Sequence, residues 1–86
     1  MEVITKTLYC KTDAVIYCAY CGEDIYYGER LKLLVFNNKN YYTHTGSCWL
    51  PFIRLMIIRH TKGMTVNQIA RAFDVHVVTV YRWRNQ

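Results

Sequence analysis

Four residues arranged as two pairs constrain the fold of this chain more than any other feature. Cys18 and Cys21 form a C-x2-C pair followed directly by Gly22, and His44 and Cys48 form an H-x3-C pair. Zinc prefers four thiolate or imidazole ligands in a tetrahedron, and a C-x2-C turn can aim two sulfurs at one ion. Glycine permits the tight backbone that such a turn needs. The spacing therefore predicts one structural zinc ion bound by all four residues.

A structural metal ion would add stability that a chain this short needs. Although 52% of its 86 residues are hydrophobic, the core that 86 residues can form leaves a thin margin of stability. The alternatives to zinc are buried free thiols with an ordinary strand-end histidine, or a redox pair of Cys18 and Cys21. Disulfides are less favoured, because intracellular chains rarely keep them. We interpret Cys10 as a small buried hydrophobic residue, or else as a ligand in place of His44.

The first half of the chain predicts short β-strands. Strand composition, rich in β-branched and aromatic residues, occurs at residues 3–9, 14–17, 30–36 and 41–44. Residues 11–13 form a turn between the first two segments. The asparagine-rich residues 37–40 form a turn between the last two, which is typical of a β-hairpin.

Apolar residues at helical spacing predict a helix over residues 49–60. We expect Ser47 to cap its N-terminus. Pro51 is tolerated in its first turn. The stripe that should face the core contains Leu50, Ile53, Met56 and Ile57.

Two shorter helices are predicted after residues 61–63. Thr65 and Gln68 form a capping-box pattern at the start of a helix over residues 66–73. Asp74 ends that helix, and a third helix runs over residues 77–84.

The order of the first elements resembles that of the treble-clef zinc fingers. A cysteine knuckle is followed by a hairpin and then by a helix that carries the last ligand, over about residues 15–60. All four ligands would be protein atoms, so the site would be closed and structural rather than catalytic.

Residues 68–83 resemble the helix-turn-helix of resolvase- and invertase-type recombinases, transposases and many small regulators. The run Thr79–Trp83 is especially similar to the recognition helix of that family. Ala70 lies where the two helices would approach most closely, and Asp74 stands where the family commonly has glycine. Asp tolerates the left-handed conformation that this turn requires. The residues at inward spacing are Ile69, Phe73, Val75, Val80 and Trp83.

The net charge of +5 lies entirely in the second part of the chain. Residues 1–50 carry five basic and five acidic residues, whereas residues 51–86 carry six basic residues and Asp74 as the one acidic residue. An excess of basic residues in one part of the chain is typical of a protein with a polyanionic partner. The alternative is a charged surface that contacts only solvent. We therefore predict binding to double-stranded DNA. The residues expected to contact it are Arg71, His76, Val77, Val78, Thr79, Tyr81, Arg82 and Arg84.

A helix-turn-helix needs a third helix to complete its core, and the helix over residues 49–60 is the candidate. The expected fold is therefore α+β: a treble-clef-like hairpin and helix unit over residues 1–61 that shares this helix with a trihelical unit over residues 49–86. The function expected is sequence-specific DNA binding in transcriptional regulation. One short helix reads a half-site, so a homodimer is also expected.

Two other functions stay open. The zinc unit could serve as an adaptor for a protein partner, or exposed tyrosines such as Tyr26, Tyr27, Tyr41 and Tyr42 could stack on RNA bases. An enzyme is not expected, because the sequence shows no carboxylate pair, nucleophile triad or phosphate-binding loop. With no signal-peptide pattern and no apolar run long enough for a membrane span, an intracellular location is expected.

Overall fold

The computed structural model describes residues 3–85, which form an α+β fold with two antiparallel sheets followed by three helices. The elements in chain order are β1 (Val3–Tyr9), β2 (Ile16–Tyr17), β3 (Asp24–Ile25), β4 (Arg30–Phe36), β5 (Lys39–His44), α1 (Trp49–His60), α2 (Val66–Phe73) and α3 (Val77–Arg84). Among these residues, no helix is long and apolar enough to cross a membrane.

The hairpin of β4 and β5 confirms the sequence prediction. Phe36 pairs with Lys39, so the connecting loop has two residues, and the return strand begins two residues earlier than expected. Asn37 and Asn38 both have positive φ, of 50° and 65°. Positive φ at both central residues is the requirement of a type I′ turn, and asparagine meets it at low cost.

The N-terminal strands pair differently from the prediction. β1 pairs along its whole length with β4, from Val3 opposite Phe36 to Tyr9 opposite Arg30, and β4 is therefore the central strand. β2 instead pairs with β3 in a separate two-stranded sheet. The sequence did not indicate β3, because two residues are too few to produce an alternating pattern.

β4 separates two clusters of buried side chains, because successive residues of a strand point to opposite faces. Leu34 and Phe36 lie in the larger cluster, together with residues from all three helices. Leu31 and Leu33 lie on the other face, in a smaller cluster that contains Cys10 and Cys18. The partner of Leu31 across the sheet is His44, so the histidine lies on the face of the smaller cluster.

α1 has the predicted bounds but differs in two details. Its N-cap residue is Cys48, which makes no side-chain cap hydrogen bond, and Ser47 lies one residue too early to cap it. Leu50 is 53% exposed, whereas Phe52 is buried. The stripe that faces the core is thus formed by Phe52, Ile53, Met56 and Ile57.

α2 and α3 form the predicted helix pair. The capping box is present, with Thr65 Oγ1 accepting from the Gln68 backbone and the Gln68 side chain accepting from the Thr65 backbone. Asp74 has φ 56° and ψ 48°, so it adopts the left-handed conformation expected of it. Its N–H donates to the carbonyl of Ala70, which closes the helix.

One core joins α1 to both the sheet and the helix pair. Ile69, Phe73 and Val80 are fully buried in one cluster with the apolar stripe of α1 and with Leu34 and Phe36 of β4. The ring centroids of Phe36 and Phe73 lie 6.1 Å apart. α1 therefore contributes to a core that is shared by sheet and helices, while the exact limits of two modules stay a prediction.

The left-handed conformation of Asp74 in the turn between α2 and α3 can be tested by substitution. Asp74 is exposed, so substitution there changes the backbone preference with little loss of packing. We expect Asp74→Val to lower the free energy of unfolding by about 1–2 kcal/mol, because a β-branched side chain is strained at positive φ. Asp74→Gly should leave it within about 1 kcal/mol of the wild type. Urea unfolding measures both, and equal stability of the two variants would contradict the assigned turn.

Candidate metal centre and nucleic-acid interface

The four predicted ligands converge at one place in the structure. The thiols of Cys18, Cys21 and Cys48 and a ring nitrogen of His44 all lie within 4.8 Å of one another. They arrive from different elements: the cysteine knuckle after β2, the end of β5 and the N-cap of α1. Four such donors at this spacing are compatible with a single tetrahedral metal ion.

The knuckle that holds the first two ligands is fixed by its own backbone. Gly22 has φ +79°, and its N–H donates to the carbonyl of Cys18 over 2.9 Å. The N–H groups of Tyr20 and Cys21 point at the sulfur of Cys18, over 3.4 and 3.5 Å. Ala19 donates to the carbonyl of Tyr42, which ties the knuckle to β5. The turn therefore directs N–H donors at the most buried thiol of the cluster.

His44 is oriented by a backbone partner that the sequence did not indicate. Its Nε2 lies 3.0 Å from the carbonyl oxygen of Asp24 in β3. A carbonyl only accepts, so Nε2 carries the proton and donates it. Nδ1 then presents its lone pair to the cluster, 3.4 Å from the sulfur of Cys21 and 3.8 Å from that of Cys48. A hydrogen bond of this kind on the far ring nitrogen is typical of metal-binding histidines.

The electrostatics of the cluster favour a thiolate at Cys18 and disfavour one at Cys48. Burial raises the pKa of the Cys18 thiol, but backbone hydrogen bonds, above all from Cys21, outweigh burial and lower the pKa to about 6. Burial and the neighbouring cysteines raise the pKa of Cys48 to about 11. Burial lowers the pKa of His44, yet the bond to Asp24 and the proximity of Cys18 leave it raised. A divalent cation would remove the repulsion among these thiolates.

Cys10 does not join the four. It is 2% exposed and packs against Ile25 and Leu31, with its thiol 3.9 Å from the carbonyl oxygen of Ile25. Its surroundings are those of a small hydrophobic residue, as the sequence indicated.

The second candidate site is the outer face of α3. Val80 is completely buried, and Val77 and Trp83 are half-buried against the same core. On the opposite side Val78 and Tyr81 are 53% and 55% exposed. The exposed side also carries Arg82. α3 therefore presents one face to the core and a mixed apolar and cationic face to solvent.

The residues predicted to contact DNA do not all share that face. Val77 and Thr79 are half-buried, and Val77 packs against the core. Arg84 is exposed, but its Nη1 donates to the carbonyl of Met64 over 3.1 Å, linking α3 to the α1–α2 connection. The exposed members of the set are Arg71, His76, Val78, Tyr81, Arg82 and Arg84.

His76 has a structural role that sequence reasoning missed. It is the N-cap of α3, and its Nδ1 accepts from the N–H of Val78 over 3.2 Å. Histidine is an unusual cap, which explains why the pattern did not indicate it. Beside this cap, a surface groove between α2 and α3 is lined by Asn67, Ala70, Arg71, Val75, His76 and Val77. Of these, the sequence did not single out Asn67.

Comparison with known protein families gives a match for this part of the chain. Residues 51–86 match the family model of the homeodomain-like domain, which covers most of α1 and all of α2 and α3. Comparisons with curated proteins and with solved structures gave no match. The narrower resemblance to recombinases and transposases stays a prediction. The C-terminal part of the chain therefore contains a helix-turn-helix similar to homeodomain-like domains, which suggests binding to DNA.

Proposed function

We propose that this protein binds specific sequences of double-stranded DNA through α3, as a transcriptional regulator, and that a zinc-bound knuckle and hairpin support the helix-turn-helix. The observation that carries the proposal is the two-sided character of α3. Its buried residue is Val80, while Val78, Tyr81 and Arg82 stand on the free side of a helix within a homeodomain-like match. In helix-turn-helix proteins this face lies in the major groove.

The charges near α3 support a nucleic-acid partner. Residues 51–86 hold six basic residues and one acidic residue, and the acidic residue is used as the left-handed cap of α2. Phosphate contacts from such residues supply affinity without sequence preference. Arg71, exposed on α2 beside the groove between the helices, is the best placed for this role.

Sequence preference would come from α3 itself. The guanidinium of Arg82 can pair with both acceptors of a guanine, and Val78 can contact a thymine methyl group. Val77 has less free surface for such a contact, because it packs against the core. One helix reads a half-site, so we propose that two copies bind adjacent half-sites.

Zinc is the ion that suits the Cys3His cluster best. Thiolate and imidazole donors exclude the oxygen-seeking cations, and four protein ligands leave no open position for a reacting water. Such an ion would supply folding free energy rather than catalysis, and we propose no enzymatic activity. Of the four tyrosines considered for RNA stacking, Tyr26 and Tyr27 are exposed, whereas Tyr41 and Tyr42 pack against the two buried clusters, so RNA stacking is less favoured than DNA binding.

The metal centre can be tested by composition. Native mass spectrometry should give one zinc per chain for the wild type, and Cys48→Ser should lose that zinc and its cooperative unfolding, because three ligands hold the ion poorly. Cys10→Ala is the matched control, since it removes a buried cysteine that lies outside the cluster. Folded wild-type protein without zinc, or zinc loss in the control alone, would contradict the assignment.

The DNA interface can be tested with variants that separate the preference for a base sequence from the overall affinity for DNA. Arg82→Ala should relax the preference at one base pair, a loss of about 1–3 kcal/mol of discrimination. Arg71→Ala should weaken binding to all DNA sequences alike and reduce the slope of log affinity against log salt concentration by about one unit. Lys11→Ala, which removes an exposed cation from the N-terminal part, should change neither. Binding selections from a random DNA pool, followed by titration at several salt concentrations, measure both effects; unchanged binding in all three variants would refute the assignment of α3.

A further inference from the structure

The start of α3 depends on one residue for its hydrogen bonds. The carbonyl oxygen of His76 accepts from Thr79 over 3.0 Å and from Val80 over 3.2 Å, and its ring atom Nδ1 accepts from Val78 over 3.2 Å. The two carbonyl bonds begin the backbone pattern of the helix. The ring bond satisfies an N–H that has no partner within the helix itself. His76 therefore fixes where α3 begins.

The ring bond requires one protonation state of His76. A backbone N–H only donates, so Nδ1 presents a lone pair, and the proton of the neutral ring lies on Nε2. A protonated imidazole carries a hydrogen on both nitrogens and accepts no hydrogen bond. Its positive charge would also stand at the N-terminal end of α3, where the helix dipole is positive. Uptake of a proton therefore removes the cap and adds an unfavourable charge.

Two charged side chains lie near His76, and they act in opposite directions. Arg71 of α2 lines the same groove as His76, and its positive charge opposes a second one there. Asp74, in the turn, is two residues away in the chain and would favour the protonated ring. α3 has no acidic residue in its first turn, and its arginines, Arg82 and Arg84, lie in its last turn. α3 itself therefore offers no charge that would stabilise a protonated ring.

The cap lies beside the face of α3 that is assigned to the major groove. Val78, whose N–H the ring holds, is 53% exposed on that face. Histidine ordinarily changes charge between about pH 5 and pH 8. On the basis of the DNA binding proposed for α3, we propose that His76 is a positioning residue that holds the start of α3 in its DNA-binding conformation only while its ring is neutral. Acidification should then weaken DNA binding, whereas a merely cationic surface binds a polyanion more tightly as it gains protons.

Titration of the full-length zinc-bound chain with a duplex enriched from a random DNA pool tests this proposal at about pH 7.5 and about pH 6.0. We expect the wild-type affinity to fall about threefold to tenfold at the lower pH, the factor that corresponds to the loss of a helix cap. His76→Asn should bind with nearly equal affinity at both pH values, because asparagine caps a helix and does not titrate. His76→Ala should bind weakly at both.

Two controls separate His76 from other groups that could respond to the same change of pH. The zinc cluster and His60 are unchanged in His76→Asn, so an effect that arises in either of them persists in this variant. Asp74→Asn removes the nearby carboxylate but keeps a residue that tolerates the left-handed turn. This variant should retain the pH dependence of the wild type.

A measurement without DNA distinguishes failure of this proposal from failure of the proposed function. In the free chain, the NMR shift of the Val78 amide should change as the ring of His76 takes up its proton, and the neutral ring should carry its proton on Nε2. The proposal is overturned if wild-type affinity rises or stays level on acidification, if His76→Asn loses affinity equally, or if the neutral ring carries its proton on Nδ1. Absence of any enriched duplex would refute the proposed function, and with it the role of His76 in DNA binding, even if the Val78 amide follows the ring.

Discussion

The convergence of four ligand side chains at one point organises the first half of this structure. Cys18 and Cys21 come from a turn between two strands of two residues each, which are too short to be stable alone. His44 is the last residue of β5, and Cys48 is the N-cap of α1. The ligands meet where the knuckle, the hairpin and the start of α1 come together. The smaller cluster around Cys10 and Leu31 adds only a modest buried core beside them.

α1 connects the metal cluster to the second half of the chain. It begins directly after Cys48, and its buried stripe shares one core with Leu34 of the sheet and Phe73 of the helix pair. α2 and α3 have eight residues each, below the length at which helices persist alone in water. They therefore depend on the core that they share with α1 and the sheet to bury Ile69, Phe73 and Val80. The face of α3 proposed to bind DNA is positioned by the same contacts.

The features that the sequence predicted are those with a local chemical cause. The ligand spacing, the Asn37–Asn38 turn, the Thr65–Gln68 capping box and the left-handed Asp74 each depend on residues close together in the chain. The features that it missed depend on distant parts of the chain. The pairing of β1 with β4 joins residues that are 21 or more positions apart, and no periodicity within β1 specifies its neighbour.

In the candidate sites too, the sequence missed the features that depend on distant parts of the chain. The carbonyl of Asp24 orients His44, but a carbonyl belongs to every residue and gives no signal in the sequence. Helical spacing placed Leu50 on the buried stripe, although a helix that is apolar on two sides leaves the choice of face to its neighbours in space. His76 and Arg84 were expected to face DNA, and the structure shows that each also makes a bond that holds α3 in place.

We propose that the metal cluster and the helix-turn-helix stabilise each other through the helix that they share, α1. Hydrogen exchange of backbone amides, measured on the full chain before and after removal of zinc with a chelator, tests it directly. We expect the amides of Ile69, Phe73 and Val80 to lose protection together with those around Cys18, because the start of α1 loses its anchor. Retained protection across α2 and α3 after the metal is removed would contradict the claim.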